Sequence, residues 1–208
     1  MNVTEILLCL LFGYIFGCFL TAEIVAKANN VDLKNIDKTC PGKGNPGMAN
    51  IMLNVGFKQG VLVFIGDSLK TIIPMLLASI IFKELEFASI YVGFGVLLGH
   101  NYPFWRRFNG GKGVLVTVMW FIFLLPKYCW ICFAICALIV VVTGNLNIAA
   151  VALPFIGIPF AYTMYDMNIV VLVIISAIIM IIRNKNDLLN TIKGKYEKVT
   201  LSQFIKKK

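Results

Sequence analysis

The stretch Gly60–Phe82, GVLVFIGDSLKTIIPMLLASIIF, decides the fold. It is charged only at Asp67 and Lys70, and a helix of this length rises far enough to cross the ~30 Å hydrocarbon core of a bilayer. Outward from it, six more apolar runs punctuate the chain: Ile6–Val25, Phe87–Leu98, Gly113–Leu125, Tyr128–Val142, Ile148–Tyr165 and Ile169–Ile182. Of the 208 residues 59% are hydrophobic and only 14% charged, against about 25% charged in soluble domains. The expectation is an all-α integral membrane protein of seven transmembrane helices, with one transmembrane domain over residues 1–182 and a basic tail over 183–208. No basic segment precedes the first run and no small-residue cleavage site follows it, so it reads as a retained helix rather than a signal peptide.

Charge orients the helices. With the amino terminus outside, the inner segments are loops 26–59 and 99–112, the short loop 143–147 and the tail, and together they hold 16 of the 19 Lys and Arg residues. Fusing the runs on either side of Pro126-Lys127 into one kinked helix would turn the basic tail outward, against the positive-inside rule. The carboxyl terminus is therefore expected in the cytoplasm. The net charge of +9 then belongs to a membrane surface that attracts anionic lipids and phosphorylated substrates, and nucleic acid is not needed to explain it. Five of the six cysteines lie in apolar runs and one, Cys40, in a polar loop, which gives no disulfide framework. Cys129, Cys132 and Cys136 share a helix face but want further ligands, so no metal is expected.

Two glycine-rich inner segments and one charged pair carry the chemistry. Gly42, Gly44 and Gly47 surround Lys43 in a turn whose backbone N–H groups can converge on phosphate, followed by Asn45 and Asn50. Gly110, Gly111 and Gly113 surround Lys112 directly before the fourth helix, where the positive end of the helix dipole favours an anion. This is not a Walker A loop, so a nucleotide is not implied. Asp67 and Lys70 lie one helical turn apart, close enough to neutralise each other or to serve a substrate. Glu23, near the inner end of the first run, is a further intramembrane acid. Trp105, Arg106, Arg107 and Phe108 read as an interfacial anchor, and Asn145 and Asn147 as caps of the next helix. There is no G-x-S-x-G elbow, His100 is the only histidine, and Trp105 rather than an acid stands five places after it. The reaction class expected is one without an activated protein nucleophile.

Three blocks in this order, Gly44-Asn45-Pro46-Gly47 with Asn50, Gly66-Asp67-Ser68-Leu69-Lys70, and Leu98-Gly99-His100-Asn101-Tyr102-Pro103 followed by Phe108-Asn109-Gly110-Gly111-Lys112-Gly113-Val114, resemble the bacterial acyl-phosphate-dependent glycerol-3-phosphate acyltransferase family. The resemblance spans nearly the whole chain. It implies transfer of a fatty acyl group from acyl phosphate to glycerol 3-phosphate at the cytoplasmic face of the bacterial cell membrane, giving lysophosphatidic acid and phosphate, the first step of phospholipid synthesis. It implies no cofactor and no metal, the two substrates and membrane lipids as partners, and a monomer as the simplest assembly. By carry-over, Lys112, His100 and Asp67 are the catalytic candidates. Lys43, Gly44, Asn45, Gly47, Asn50, Lys70, Gly110, Gly111, Gly113, Asn184 and Asp187 are the phosphate-binding ones. The chain departs from the family pattern where Lys43 replaces a serine, Leu53 an arginine, Asn184 a histidine and Asp187 an asparagine. Those departures define the competing reading, a non-catalytic relative that binds lipid phosphates or a partner enzyme. A small transporter ranks behind both, because no internal repeat is visible.

Overall fold

The structure, a computed structural model, describes residues 3–33 and 45–194. Each of the seven apolar runs is occupied by helix: α1 (Val3–Gly17) with α2 (Thr21–Ala28), α4 (Phe57–Ile81), α5 (Ala88–Asn101), α6 (Val114–Leu124), α7 (Cys129–Thr143), α8 (Leu146–Met164) and α9 (Met167–Ile192). A short α3 (Met48–Asn54) precedes α4. Among the described residues four stretches are long and apolar enough to cross a membrane, namely Val3–Ala28, α4, α8 and α9. At 14 residues α5 rises only about 21 Å. The surface of α4 is apolar at Leu62, Leu69, Ile73 and Ile80, while Asp67, Ser68, Lys70 and Thr71 are buried, the inverse of a soluble helix.

Three boundaries differ from the sequence expectation. The first run is not one helix: it breaks at residues 18–20, where Leu20 takes an extended backbone. The third run continues through the expected loop as far as Asn101, so His100 lies in the last turn of a helix. The last run continues ten residues beyond Ile182 to Ile192, its polar end held by Thr191 Oγ1 donating to Asp187 O (2.8 Å). Pro126-Lys127 does separate two helices, α6 and α7.

The chain forms two compact units that divide between Val116 and Thr117. In the first, α5 packs against α1 and α4, and α3 lies along α4. The α1–α5 contact is made backbone to backbone. A Cβ at Gly17 would collide with Val96 O, and one at Gly99 with Tyr14 O, so glycine at these two positions sets the separation of the helices. A small apolar core of Ala22, Val25, Ala26, Leu33, Ile51 and Val63 fills the space among α2, α3 and α4. In the second unit α8 packs against α7 and α9. Phe121 of α6 fills the space a side chain at Gly157 would need, and Tyr165 Oη donates to Leu124 O (2.6 Å). Asn145 caps α8 by accepting from Asn147 N (2.9 Å), and its Nδ2 donates to Thr191 Oγ1 (2.7 Å), joining the start of α8 to the end of α9.

Candidate active site

The site is built around a break in a helix. Where α1 stops and α2 begins, the carbonyls of Cys18 and Phe19 leave the helical ladder and need other donors. Phe19 O accepts from Lys70 Nζ (2.7 Å) and Cys18 O from Trp105 Nε1 (2.9 Å). Lys70 also pairs with Asp67 Oδ1 at 2.8 Å, one turn back on α4, and lies 2.7 Å from His100 Nδ1 on α5. The Asp67 and Lys70 side chains are only 5% and 7% exposed.

Proton counting assigns the roles. An ammonium has three donors and no acceptor, and here all three are spent on Asp67, Phe19 and His100. Lys70, expected from the sequence to bind phosphate, is thus surrounded by three protein partners within 2.8 Å. With Lys70 charged against Asp67, His100 Nδ1 is the acceptor, which puts the ring proton of the neutral imidazole on Nε2.

The glycine turn closes over the other edge of that ring. Gly111 N donates to His100 O (2.9 Å) and Gly110 N to Asn101 O (3.0 Å), so the turn is hydrogen-bonded onto the end of α5. A Cβ at Gly111 would overlap the His100 ring, and one at Gly110 the His100 carbonyl. Gly113, with φ +78°, takes the left-handed conformation immediately before α6. Lys112 is half-buried between these glycines. The structure thus brings together Asp67, Lys70, His100, Gly110, Gly111, Lys112 and Gly113.

Lys43 and Gly44 lie outside the described residues. Asn50 is buried and holds its own loop, its Nδ2 donating to Asn45 O (2.7 Å) while its Oδ1 accepts from Asn54 Nδ2 (2.6 Å). Gly47, extended at φ −149°, is the first residue of the turn into α3, and its N–H also bonds Asn45 O (2.9 Å). Asn184 and Asp187 belong to α9 in the second unit. Asn184 is fully buried there, its Nδ2 donating to Met180 O (2.9 Å) and its Oδ1 without a hydrogen-bond partner among the described residues.

Sequence reasoning missed two participants and one pairing. The main-chain carbonyl of Phe19 carries no side-chain signal, and the helix break exposing it lies inside an apolar run. Asn101, next to His100, is fully buried beside Gly113 with no partner for its carboxamide among the described residues. An amide at a helix end beside a glycine turn was the available signal. Glu23 and Arg106 were each noticed alone, yet they pair at 2.8 Å. A cleft of about 430 Å³ opens beside this pair, and an apolar groove of about 420 Å³ lined by Ile15, Cys18, Phe19, Leu20, Ile24 and Phe104 shares Glu23, Lys27 and Trp105 with it.

The chain is similar to known proteins over nearly its whole length. The glycerol-3-phosphate acyltransferase family model matches residues 7–194. Glycerol-3-phosphate acyltransferase 1 of Lactobacillus johnsonii is 34% identical over 96% of this chain and 95% of its own length. Glycerol-3-phosphate acyltransferase of Aquifex aeolicus is 28% identical over 91% and 96%. The fold superposes on the crystal structure of PlsY (YgiH), an integral membrane glycerol 3-phosphate acyltransferase in its glycerol 3-phosphate form. There the TM-score is 0.82 at 26% identity, covering 97% of this chain and 99% of that one. An all-α chain of membrane-spanning helices, alike in sequence and fold to these enzymes over nearly its full length, belongs to the glycerol-3-phosphate acyltransferase family.

Proposed function

We propose that the protein is an integral membrane acyltransferase that moves a fatty acyl group from acyl phosphate to glycerol 3-phosphate, releasing inorganic phosphate and lysophosphatidic acid. The acceptor hydroxyl oxygen forms the new ester bond at the acyl carbon as the bond from that carbon to the phosphate oxygen breaks, and the hydroxyl proton leaves with the departing phosphate. Acyl phosphate is already activated, so the protein's task is to position two phosphate-bearing molecules and stabilise developing negative charge.

The observation that carries this reading is the buried Asp67–Lys70–His100 chain lying directly beneath the Gly110–Lys112 turn. Lys112 and the turn hold phosphate. His100 donates from Nε2 toward it, and Lys70 with Asp67 keeps the imidazole in that tautomer. Asn101, its carboxamide unspent, adds a polar contact on the Gly113 side. The apolar groove at Phe19 receives the acyl chain, because the residue whose carbonyl anchors Lys70 also lines the groove.

The same reading extends to the setting. Seven crossings, an outside amino terminus, a cytoplasmic site and a location in the bacterial cell membrane are supported by the 16 cationic residues that this arrangement gathers on one side. A monomer suffices for the chemistry proposed. The test is formation of phosphate and lysophosphatidic acid by the purified, detergent-solubilised protein given palmitoyl phosphate and glycerol 3-phosphate, beside Lys112→Ala. Turnover that the substitution abolishes is expected. A well-folded protein inactive across several acyl and polyol phosphates would overturn the reading in favour of a non-catalytic relative.

A further inference from the structure

The break between α1 and α2 also grips the approach to the glycine turn. Trp105 binds Cys18 O, and Arg106 Nη2 meets Glu23 Oε1 of α2 at 2.8 Å, with the two side chains 10% and 11% exposed. The other arm of the guanidinium, Nη1, donates to Asn109 O (3.1 Å), the residue before Gly110. Between Arg106 and Asn109 the chain reverses through Arg107 and Phe108, both left-handed at φ 51° and 57°. Side-chain-bearing residues hold that conformation only where surrounding contacts over-determine it. Here Phe108 N donates to Pro103 O and Asn109 N to Arg106 O, each at 3.1 Å, and the Arg106 fork links this reversal to α2 through a charge. A planar guanidinium suits such a two-armed contact as a lysine would not.

We propose that Glu23 and Arg106 are positioning residues for the Gly110–Lys112 turn: their ion pair sets the turn over His100, so that its donors stand ready for the phosphate of the acceptor. The proposal rests on the acyltransferase reading above. Neither side chain is asked to touch substrate. A turn that already holds its bound geometry loses little freedom on binding, and a loosened one binds phosphate more weakly in ground and transition states alike. Loss of such uniform binding raises KM and leaves kcat in place.

Steady-state kinetics on the full-length, detergent-solubilised protein decide the matter, with glycerol 3-phosphate varied at saturating palmitoyl phosphate. Glu23→Gln and Arg106→Gln are each expected to raise KM for glycerol 3-phosphate roughly 10-fold with kcat within about threefold of wild type. Because the two act as one unit, the double variant should be no worse than the worse single. A merely structural pair would lower the active fraction, so kcat would fall at unchanged KM, and that result overturns the proposal. So would KM effects that multiply in the double variant. Should neither neutral variant accumulate as folded protein, Arg106→Lys decides, since it keeps the charge but replaces the two nitrogens that meet Glu23 and Asn109 O with a single one. A raised KM there supports the proposal and a wild-type KM overturns it. An inactive wild type would sink the acyltransferase reading and this proposal together, whereas an active wild type with unchanged KM in the variants sinks the proposal alone.

Discussion

Lys70 Nζ lies 2.7 Å from Nδ1 of His100, thirty residues further along the chain, and this contact converts an intramembrane ion pair into part of a site. The ammonium is held on its other sides by Asp67 and by Phe19 O, and on the proposed reading it orients the imidazole rather than binding a ligand. What separates an orienting lysine from a substrate-binding one is this count of acceptors, and it sets the first expectation.

Asp67→Asn and Lys70→Met should each abolish most turnover and also destabilise the protein, because either leaves the partner's charge buried and alone. Breaking one side of a buried pair costs about 3–5 kcal/mol. Thermal unfolding in detergent reads the stability and phosphate release the activity. A Lys70→Met protein of wild-type stability would show that the pair is not as tightly coupled as its geometry implies.

On the proposed reading His100 acts as a donor from Nε2, and not as the general base. His100→Ala should lower kcat/KM by roughly 10- to 100-fold, the worth of a hydrogen bond to a charged group. His100→Gln, which can place an N–H near the same position, should recover part of that loss. The pH–rate profile of the glutamine variant should keep the wild-type shape. An acid limb in the histidine range that vanishes with the substitution would make His100 the base instead.

Gly111→Ala drives a methyl group into the His100 ring and should suppress turnover while the helices stay folded, since the turn sits at the end of α5 and not between helices. Gly99→Leu forces α1 from α5 and should lower stability itself, by about 1–3 kcal/mol or more. Turnover and melting temperature measured side by side separate the two effects.

Ile15→Trp narrows the apolar groove at the α1 break. The ratio of kcat/KM for palmitoyl phosphate over lauroyl phosphate should fall severalfold, each methylene excluded from burial being worth about 0.8 kcal/mol. An unchanged ratio would place the acyl chain elsewhere.

Asn145→Ala removes the cap of α8 and its bond to Thr191, and should cost about 1 kcal/mol of stability. KM for glycerol 3-phosphate should stay at its wild-type value, because the side chain is fully engaged in holding α8 to α9. A raised KM would show that Asn145 also serves the phosphate site.

Much of the site was legible because its residues are chemically out of place. Asp67 and Lys70 are charges in an apolar run, and Gly110, Gly111 and Gly113 crowd a lysine before a helix, so composition against context exposes them. The spacing of Asp67 and Lys70 also foretold their ion pair, because positions three apart on a helix are neighbours. Glu23 and Arg106 were visible for the same reason, but 83 positions separate them and no local pattern names a partner. A separation of 87 positions hid Trp105 from Cys18, and left Trp105 and Arg106 looking like membrane anchors.

By itself the sequence determined that the chain is helical and built for a bilayer, where the apolar runs lie, and which polar residues a lipid environment would not tolerate without a purpose. Those conclusions follow from the cost of exposing polar groups to hydrocarbon, which depends on composition and period alone. Only the tertiary structure decided that the first run breaks at Cys18–Leu20, because that break is offset by donors arriving from α4 and from the loop after α5. It also decided that Lys70 is spent on Asp67, Phe19 and His100, and that Gly111 makes room for the imidazole. Hydrogen-bond valence and steric exclusion act between atoms that touch, and which atoms touch is settled only when the helices pack.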